Sequence, residues 1–279
     1  MIIENIDWND VWTIRTKDHL ECGNKTECAS IWEEKEAAKK FWQMSQRDGQ
    51  KRARETIKSL NLTPDSRVLD IGAGPGSLAI PISEQVAHVT AVEPSTGMLE
   101  VLQENIDEFG SNNITCVKKL WEDIDVEKDL DGPYDVIIAS FSLGMPDIRK
   151  AIEDMQAVSS GYIYLYWFAG ETSWNLHSKK IWPKLHGREY CSMPKCNILY
   201  NVLYGMGIYP NMSTFKLGRI ERYASIYEAV DDLSSHFSVS TEEHRSILAE
   251  YLESTLEKDG DGYLYDATST RVKIWWKDK

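Results

Sequence analysis

"VLDIGAGPGSLAI", Val68–Ile80, is the stretch that decides the fold. Val68–Ile71 is a short apolar run of the kind that forms a buried strand. Gly72, Gly74 and Gly76 then make a tight turn, and a helix is expected from about Gly76. Downstream the same pattern repeats. "HVTAVE" (88–93) reads as a second strand, followed by a helix over "STGMLEVLQENIDEF" with Ser95 or Thr96 as its N-cap. "NITCVKK" (113–119) is a third strand and "YDVIIAS" (134–140) a fourth, with a helix near Asp147–Val158. "GYIYLYWF" (161–168) is a fifth. Near-continuous apolar strands alternating with helices imply a parallel sheet buried on both faces and wound by right-handed crossovers.

The flanks differ from this centre. Before it, "ECASIWEEKEAAKKFWQMS" (27–45) and "QKRARETIKSLNL" (50–62) carry helical spacing, and "TPDS" breaks the second before the first strand. After Gly170, helices are expected around Thr172–Leu185 and Lys195–Met206. These lead to "GIYPNMSTFKLG" (207–218), a helical block of about fifty residues follows, and "TSTRVKIWW" (268–276) closes the chain as a last strand. Three segments result: an N-terminal helical cap over 1–62, a cofactor-binding core over 63–169, and cap insertions with closing strands of the same domain over 170–279. The helical pieces are expected to cover the sheet's carboxyl edge, where open α/β sheets bind ligands.

A net charge of −13 argues against duplex nucleic acid as a partner, since phosphate binding needs a basic face. The "KRAR" cluster at Lys51–Arg54 reads as a solvated helix face. No apolar run is long enough to span a bilayer, so no membrane partner is expected. The acidic first ten residues lack a signal pattern, and a cytoplasmic location is the expectation. Five cysteines without CxxC spacing suggest reduced structural thiols and no metal. A soft-metal or metalloid site joining Cys22 and Cys28 to Cys191 and Cys196 is the competing reading.

The glycine turn poses the question of which cofactor it holds. It lacks the GxxxxGK[ST] of a phosphate loop, and its spacing is GxGxG rather than GxGxxG. Asp70, two residues before Gly72, would repel a pyrophosphate and suit an ammonium or sulfonium group. Glu93, about twenty residues on, ends the second strand, where a carboxylate can accept both hydroxyls of a ribose. A ribose hook, tolerance of positive charge and no phosphate grip together describe S-adenosylmethionine.

"VLDIGAGPGSLAI", "VTAVEPSTGML" and "YDVIIAS", in that order and at those separations, resemble the motifs of class I S-adenosylmethionine-dependent methyltransferases, of the small-molecule type 11/12-like kind. The resemblance covers roughly Arg67–Phe168. It implies a Rossmann-like, doubly wound α/β sheet of seven strands whose last strand is antiparallel, a role "TRVKIWW" fits. It implies that Gly72 and Gly74 admit the methionine part, Asp70 supports its ammonium and Glu93 binds the ribose. Trp121 and Glu122 would take the adenine, although relatives commonly have an aspartate near Leu120 or Trp121, and Trp121 also reads as core. Ser140 would line the transfer cleft.

Methyl transfer from a sulfonium is an in-line displacement for which the protein supplies proximity and a dry pocket. The fourth strand ends in "ASFSLGMP", without the tetrapeptide of amino-methylating nucleic-acid enzymes. A small-molecule acceptor is therefore the leading expectation, with a protein or RNA methyltransferase as the alternative and a nicotinamide-dependent oxidoreductase as a remote one. Tyr166, Trp167 and Phe168 end the fifth strand and are expected to line the acceptor pocket, holding a planar or cationic molecule. His177 and His186 are the candidate bases, each also readable as a surface residue.

Overall fold

A computed structural model describes residues 6–23, 32–46, 50–218 and 220–278. Five parallel strands form the sheet's first part: β1 (Arg67–Ile71), β2 (His88–Val92), β3 (Ile114–Val117), β4 (Tyr134–Ser140) and β5 (Ser159–Phe168). Two further strands, β6 (Asn211–Leu217) and β10 (Ser269–Lys277), complete a seven-stranded sheet of order β3-β2-β1-β4-β5-β10-β6. β10 runs antiparallel to both β5 and β6, as expected of "TRVKIWW". The order reverses between β1 and β4, which puts a crevice at their carboxyl ends.

Strand alternation sorts the side chains onto two faces. Leu69, Ile137, Leu165 and Ile274 face one layer, built from α1 (Trp8–Cys22), α6 (Ile148–Ala157) and α8 (Cys196–Gly205). Val68, Val136, Ile138 and Tyr164 face the other, built from α3 (Lys51–Lys58), α4 (Ala79–Ser83) and α5 (Thr96–Phe109). α2 (Lys35–Gln46) packs outside α5, with Ala38 against Met98 and Val101. Ser95, not Thr96, caps α5 by accepting the Met98 N–H.

The structure departs from the sequence expectation in three places. The helix after the glycine turn starts at Ala79 and lasts five residues, because Gly76 sits at φ +90°, outside any right-handed helix. α1, which the flanking pattern did not mark, is a 15-residue helix. The block after Gly218 is helical only in α9 (Ile226–Leu233) and α10 (Glu242–Thr255). Around these lie β6 and a second sheet of β7 (Ile220–Tyr223), β9 (Gly262–Asp266) and β8 (Glu257–Asp259). With α7 (Ser173–His186), these late elements enclose their own core around Phe237, Leu248 and Leu252. Cys28 and the first residues of the expected 27–45 helix lie outside the described residues.

Trp12 joins α1 to the sheet's carboxyl edge. It is fully buried, its indole N–H donates to the Met145 carbonyl at 2.9 Å, and its ring lies 6.0 Å from that of Trp167. Trp12→Ala should cost about 3–5 kcal/mol in urea unfolding, the scale of a large core truncation. A loss under about 1 kcal/mol would show that α1 is an appendage rather than a layer of the fold.

Candidate active site

The glycine turn leaves β1 and returns beside the end of β2. Gly72 and Ala73 donate their N–H groups to the Val92 carbonyl at 2.8 and 3.1 Å. Gly72 has φ +70°, and a Cβ there would lie 2.3 Å from the Ser142 Cβ. This glycine therefore lets the loop after β4 close over the turn, where the Ser142 hydroxyl donates to the Ile71 carbonyl. Gly74, at φ +57°, has only the Met98 sulfur within 4 Å of a notional Cβ, at 3.9 Å. Gly74 is thus the open face of the turn.

Glu93 lies against this turn and is 6% exposed. One carboxylate oxygen accepts the Gly74 N–H at 2.8 Å and the other accepts the Ser95 N–H at 2.9 Å. Each oxygen keeps a second lone pair. Burial raises the Glu93 pKa, while the Ser95 and Gly74 N–H groups pull it back down. Asp70, 2% exposed, stands close enough to feel that charge. Burial first, and then Glu93, push Asp70 up to about 7. Its Oδ2 is sealed from solvent without a hydrogen-bond partner. An orphaned buried carboxylate beside an open glycine turn fits a ligand with a positive group.

The remaining sequence candidates fall in different places. Ser140 ends β4, and the Arg52 guanidinium donates to its hydroxyl at 3.4 Å. Trp121 is 3% exposed in the core under α6, its indole N–H donating to the Ala151 carbonyl at 3.0 Å. The core reading therefore describes its position, while the next residue, Glu122, is exposed. Tyr166 and Trp167 are both 3% exposed and point to opposite faces, as neighbours in a strand must. The Tyr166 hydroxyl pairs with that of Ser59, and the Trp167 indole donates to the Pro194 carbonyl. Phe168 lies in the ring cluster at the edge, 4.9 Å from Trp167, 5.5 Å from Phe141 and 6.0 Å from Trp174. His177 bonds the Tyr251 hydroxyl at 2.8 Å and His186 the Phe237 carbonyl at 2.9 Å, so both spend a ring nitrogen inside the late lobe. Burial lowers the His177 pKa. Among the described residues no group of His, Cys, Asp and Glu could hold a metal ion. Cys22 meets Cys191, whose backbone N–H donates to its sulfur at 3.4 Å, whereas Cys196 bonds the Ala169 carbonyl.

Side chains that the sequence reading passed over gather at the same edge. Phe141 follows β4 at φ +61°, a conformation that costs a non-glycine residue about 1–2 kcal/mol. Arg52 from α3, Arg271 from β10 and Lys195 at the start of α8 all stand over its ring or that of Phe168. Two cavities, of about 280 Å³ beside Tyr190 and about 530 Å³ beside Pro64, lie away from this edge. No described helix is long and apolar enough to cross a membrane.

Residues 68–160 match the family described as "Methyltransferase domain". Residues 68–160 are thus a methyltransferase domain, set on a Rossmann-like sheet of the kind that class I S-adenosylmethionine-dependent methyltransferases have. Among curated proteins, an "Uncharacterized protein" of Haemophilus influenzae is 31% identical over 159 residues, 57% of each chain. The protein-L-isoaspartate O-methyltransferase of Protochlamydia amoebophila is 31% identical over 102 residues, 35% of this chain and 44% of its own. A 23S rRNA (uracil(1939)-C(5))-methyltransferase of Klebsiella pneumoniae is 33% identical over 85 residues, 30% of this chain and 20% of its own. The chain thus spans about half the length, or less, of these relatives. In fold it is similar to the YcgJ protein of Bacillus subtilis, with TM-score 0.56, 18% identity, and 80% of this chain and 97% of that one covered. A Bacillus halodurans structure gives TM-score 0.58 at 14% identity, over 81% of this chain and 98% of that one.

The Asp70 shift has a thermodynamic consequence. A carboxyl raised from 3.8 to about 7 by folding contributes stability that is complete below pH ~4 and is lost as pH climbs to ~7. Relative to the wild type, Asp70→Asn should therefore gain stability between pH 4.5 and 7.5, by up to about 4 kcal/mol in urea unfolding. A difference that does not change with pH would show that the carboxyl titrates normally.

Proposed function

We propose that this chain transfers a methyl group from S-adenosylmethionine to a small-molecule acceptor at the carboxyl ends of β1, β4 and β5. The observation that carries the reading is the ring cluster beside the glycine turn. Ser142 packs on Gly72, and the residue before it, Phe141, meets Phe168, which meets Trp174, with cations from α3, α8 and β10 over these rings. Such a surface suits a molecule taken in whole, and the net charge of −13 offers little to a nucleic-acid backbone.

Bound S-adenosylmethionine supplies an electrophilic methyl group on a sulfonium. Glu93 would accept from the ribose hydroxyls with the lone pairs that Gly74 and Ser95 leave it. Asp70 would take the cationic end, which satisfies its orphaned oxygen. Gly72 and Gly74 keep the turn free of side chains. Trp121 supports the adenine side from within the core, and Glu122 lies at its rim. Ser140 and Phe141 border the acceptor side, where the rings exclude water and hold the acceptor in line. No base is assigned, because both candidate histidines are engaged in the late lobe.

A protein or RNA acceptor is the second reading. It is favoured by the similarity to a protein-L-isoaspartate and a 23S rRNA methyltransferase, whose alignments cover 35% and 30% of this chain.

Glu93→Ala should weaken S-adenosylhomocysteine binding by about 1.5–3 kcal/mol in calorimetry, the scale of hydrogen bonds to a charged group. A folded variant with unchanged affinity would place the ribose elsewhere. No heat from the wild type with either S-adenosylmethionine or S-adenosylhomocysteine would overturn the function proposed.

A further inference from the structure

Three cations lean on the ring cluster at the ends of β4 and β5. The Arg271 guanidinium carbon lies 4.4 Å from the Phe168 ring centre, 4.8 Å from Trp174 and 5.3 Å from Phe141. Arg52 stands 4.9 Å from the Phe141 ring and the Lys195 ammonium 5.5 Å from Phe168. Rings stabilise a cation through their faces, but they leave its N–H groups without acceptors.

Arg271 makes that shortfall acute. It is 6% exposed, and its Nε and Nη1 are sealed from solvent with no hydrogen-bond partner. Burial first, and then the neighbouring Arg52 charge, lower its pKa to about 10. Lys195 is lowered to about 8, chiefly by burial, with Glu171 acting against that shift. Glu171 is itself committed, to the Lys179 ammonium at 2.6 Å and to Asn175 and Ser192. Removing a charge from water without an opposite charge is among the costliest arrangements a fold can hold. Arginine offers a planar fork of donors that matches carboxylate or phosphate oxygens. Of the three rings expected to hold a planar or cationic acceptor, Phe168 already carries the protein's own cations.

We propose that Arg271 and Lys195, with Arg52 beside them, form the acceptor's recognition site, and that the acceptor is a small molecule carrying an anionic group next to a flat apolar part. The acceptor role rests on the methyl-transfer reading; the anion site does not. The ring edges would seat the flat part while the cations hold the carboxylate or phosphate.

Calorimetry of the full chain tests this with benzoate, phenyl phosphate, neutral benzamide and cationic benzylamine, each with and without saturating S-adenosylhomocysteine. One of the two anions should bind roughly ten-fold or more tighter than benzamide, and the better one identifies the headgroup as carboxylate or phosphate. Arg271→Gln should erase that preference and leave S-adenosylhomocysteine affinity unchanged. Should that variant fail to fold, Lys195→Gln is expected to reduce the preference several-fold, and Arg271→Lys to weaken it by removing the fork. Equal binding of benzamide, stronger binding of benzylamine, no binding of either anion, or a preference that survives these substitutions would overturn the proposal. Failure of S-adenosylhomocysteine to bind, with the anion preference intact, would strike the methyl-transfer reading and leave the anion site standing.

Discussion

One carboxylate, that of Glu93, ties together two backbone segments that would otherwise separate. It accepts the Gly74 N–H from the turn after β1 and the Ser95 N–H at the head of α5. The Ser95 donor is buried, where an unpaired N–H is costly, and the Gly74 donor is half-buried. Ser95 passes the constraint on: it caps α5 and donates its hydroxyl to the Trp32 carbonyl ahead of α2. The approach there is tight enough that a Cβ on Gly97 would stand 2.7 Å from the Trp32 and Glu33 carbonyl oxygens. The turn, the second crossover helix and the outer helix are thus held in register by a single acidic side chain and its neighbour two residues on.

What the sequence disclosed of this arrangement follows the range of the interactions involved. β1, β2, β4 and β5 were legible because a strand buried on both faces must be apolar at nearly every position. Asp70 and Glu93 stood out for the complementary reason: each is an acid at the end of such a run. β6 was not legible, since it is an edge strand with most of its seven residues exposed, and β8 is three exposed residues. Trp121 could be read either way because an indole near the third strand serves a core as readily as a ligand. Tyr166 and Trp167 lie beside Phe168 in sequence but are divided by strand geometry, which a list of consecutive aromatics conceals.

Arg52, Lys195 and Arg271 were the least legible, although each was visible as a residue. They come from α3, the start of α8 and β10, and only the folded sheet brings them to one edge. Arg52 belongs to a "KRAR" run that read as a solvated face, and its guanidinium instead reaches the Ser140 hydroxyl. The single local hint was Arg271 itself, a charge near the start of the closing strand. Its register opposite Phe168 fixes which ring it meets.

The crevice consequently holds two buried, under-satisfied groups of opposite sign on either side of Phe141. On the β1–β2 side Asp70 is crowded by the charge of Glu93, and on the β5–β10 side Arg271 is crowded by Arg52. Asp70 and Glu93 stand at the ends of β1 and β2, whereas Arg52 and Arg271 come from α3 and β10. Each side is thereby left with an interaction that a ligand of the opposite charge completes. A cationic donor placed on the anion's side, or an anionic acceptor on the acids' side, meets like charge in a medium where water cannot screen it. On the function proposed, charge helps orient the donor and the acceptor across the crevice. The cost of keeping both groups unpaired falls on the empty protein, so occupation of either side stabilises the fold by mass action.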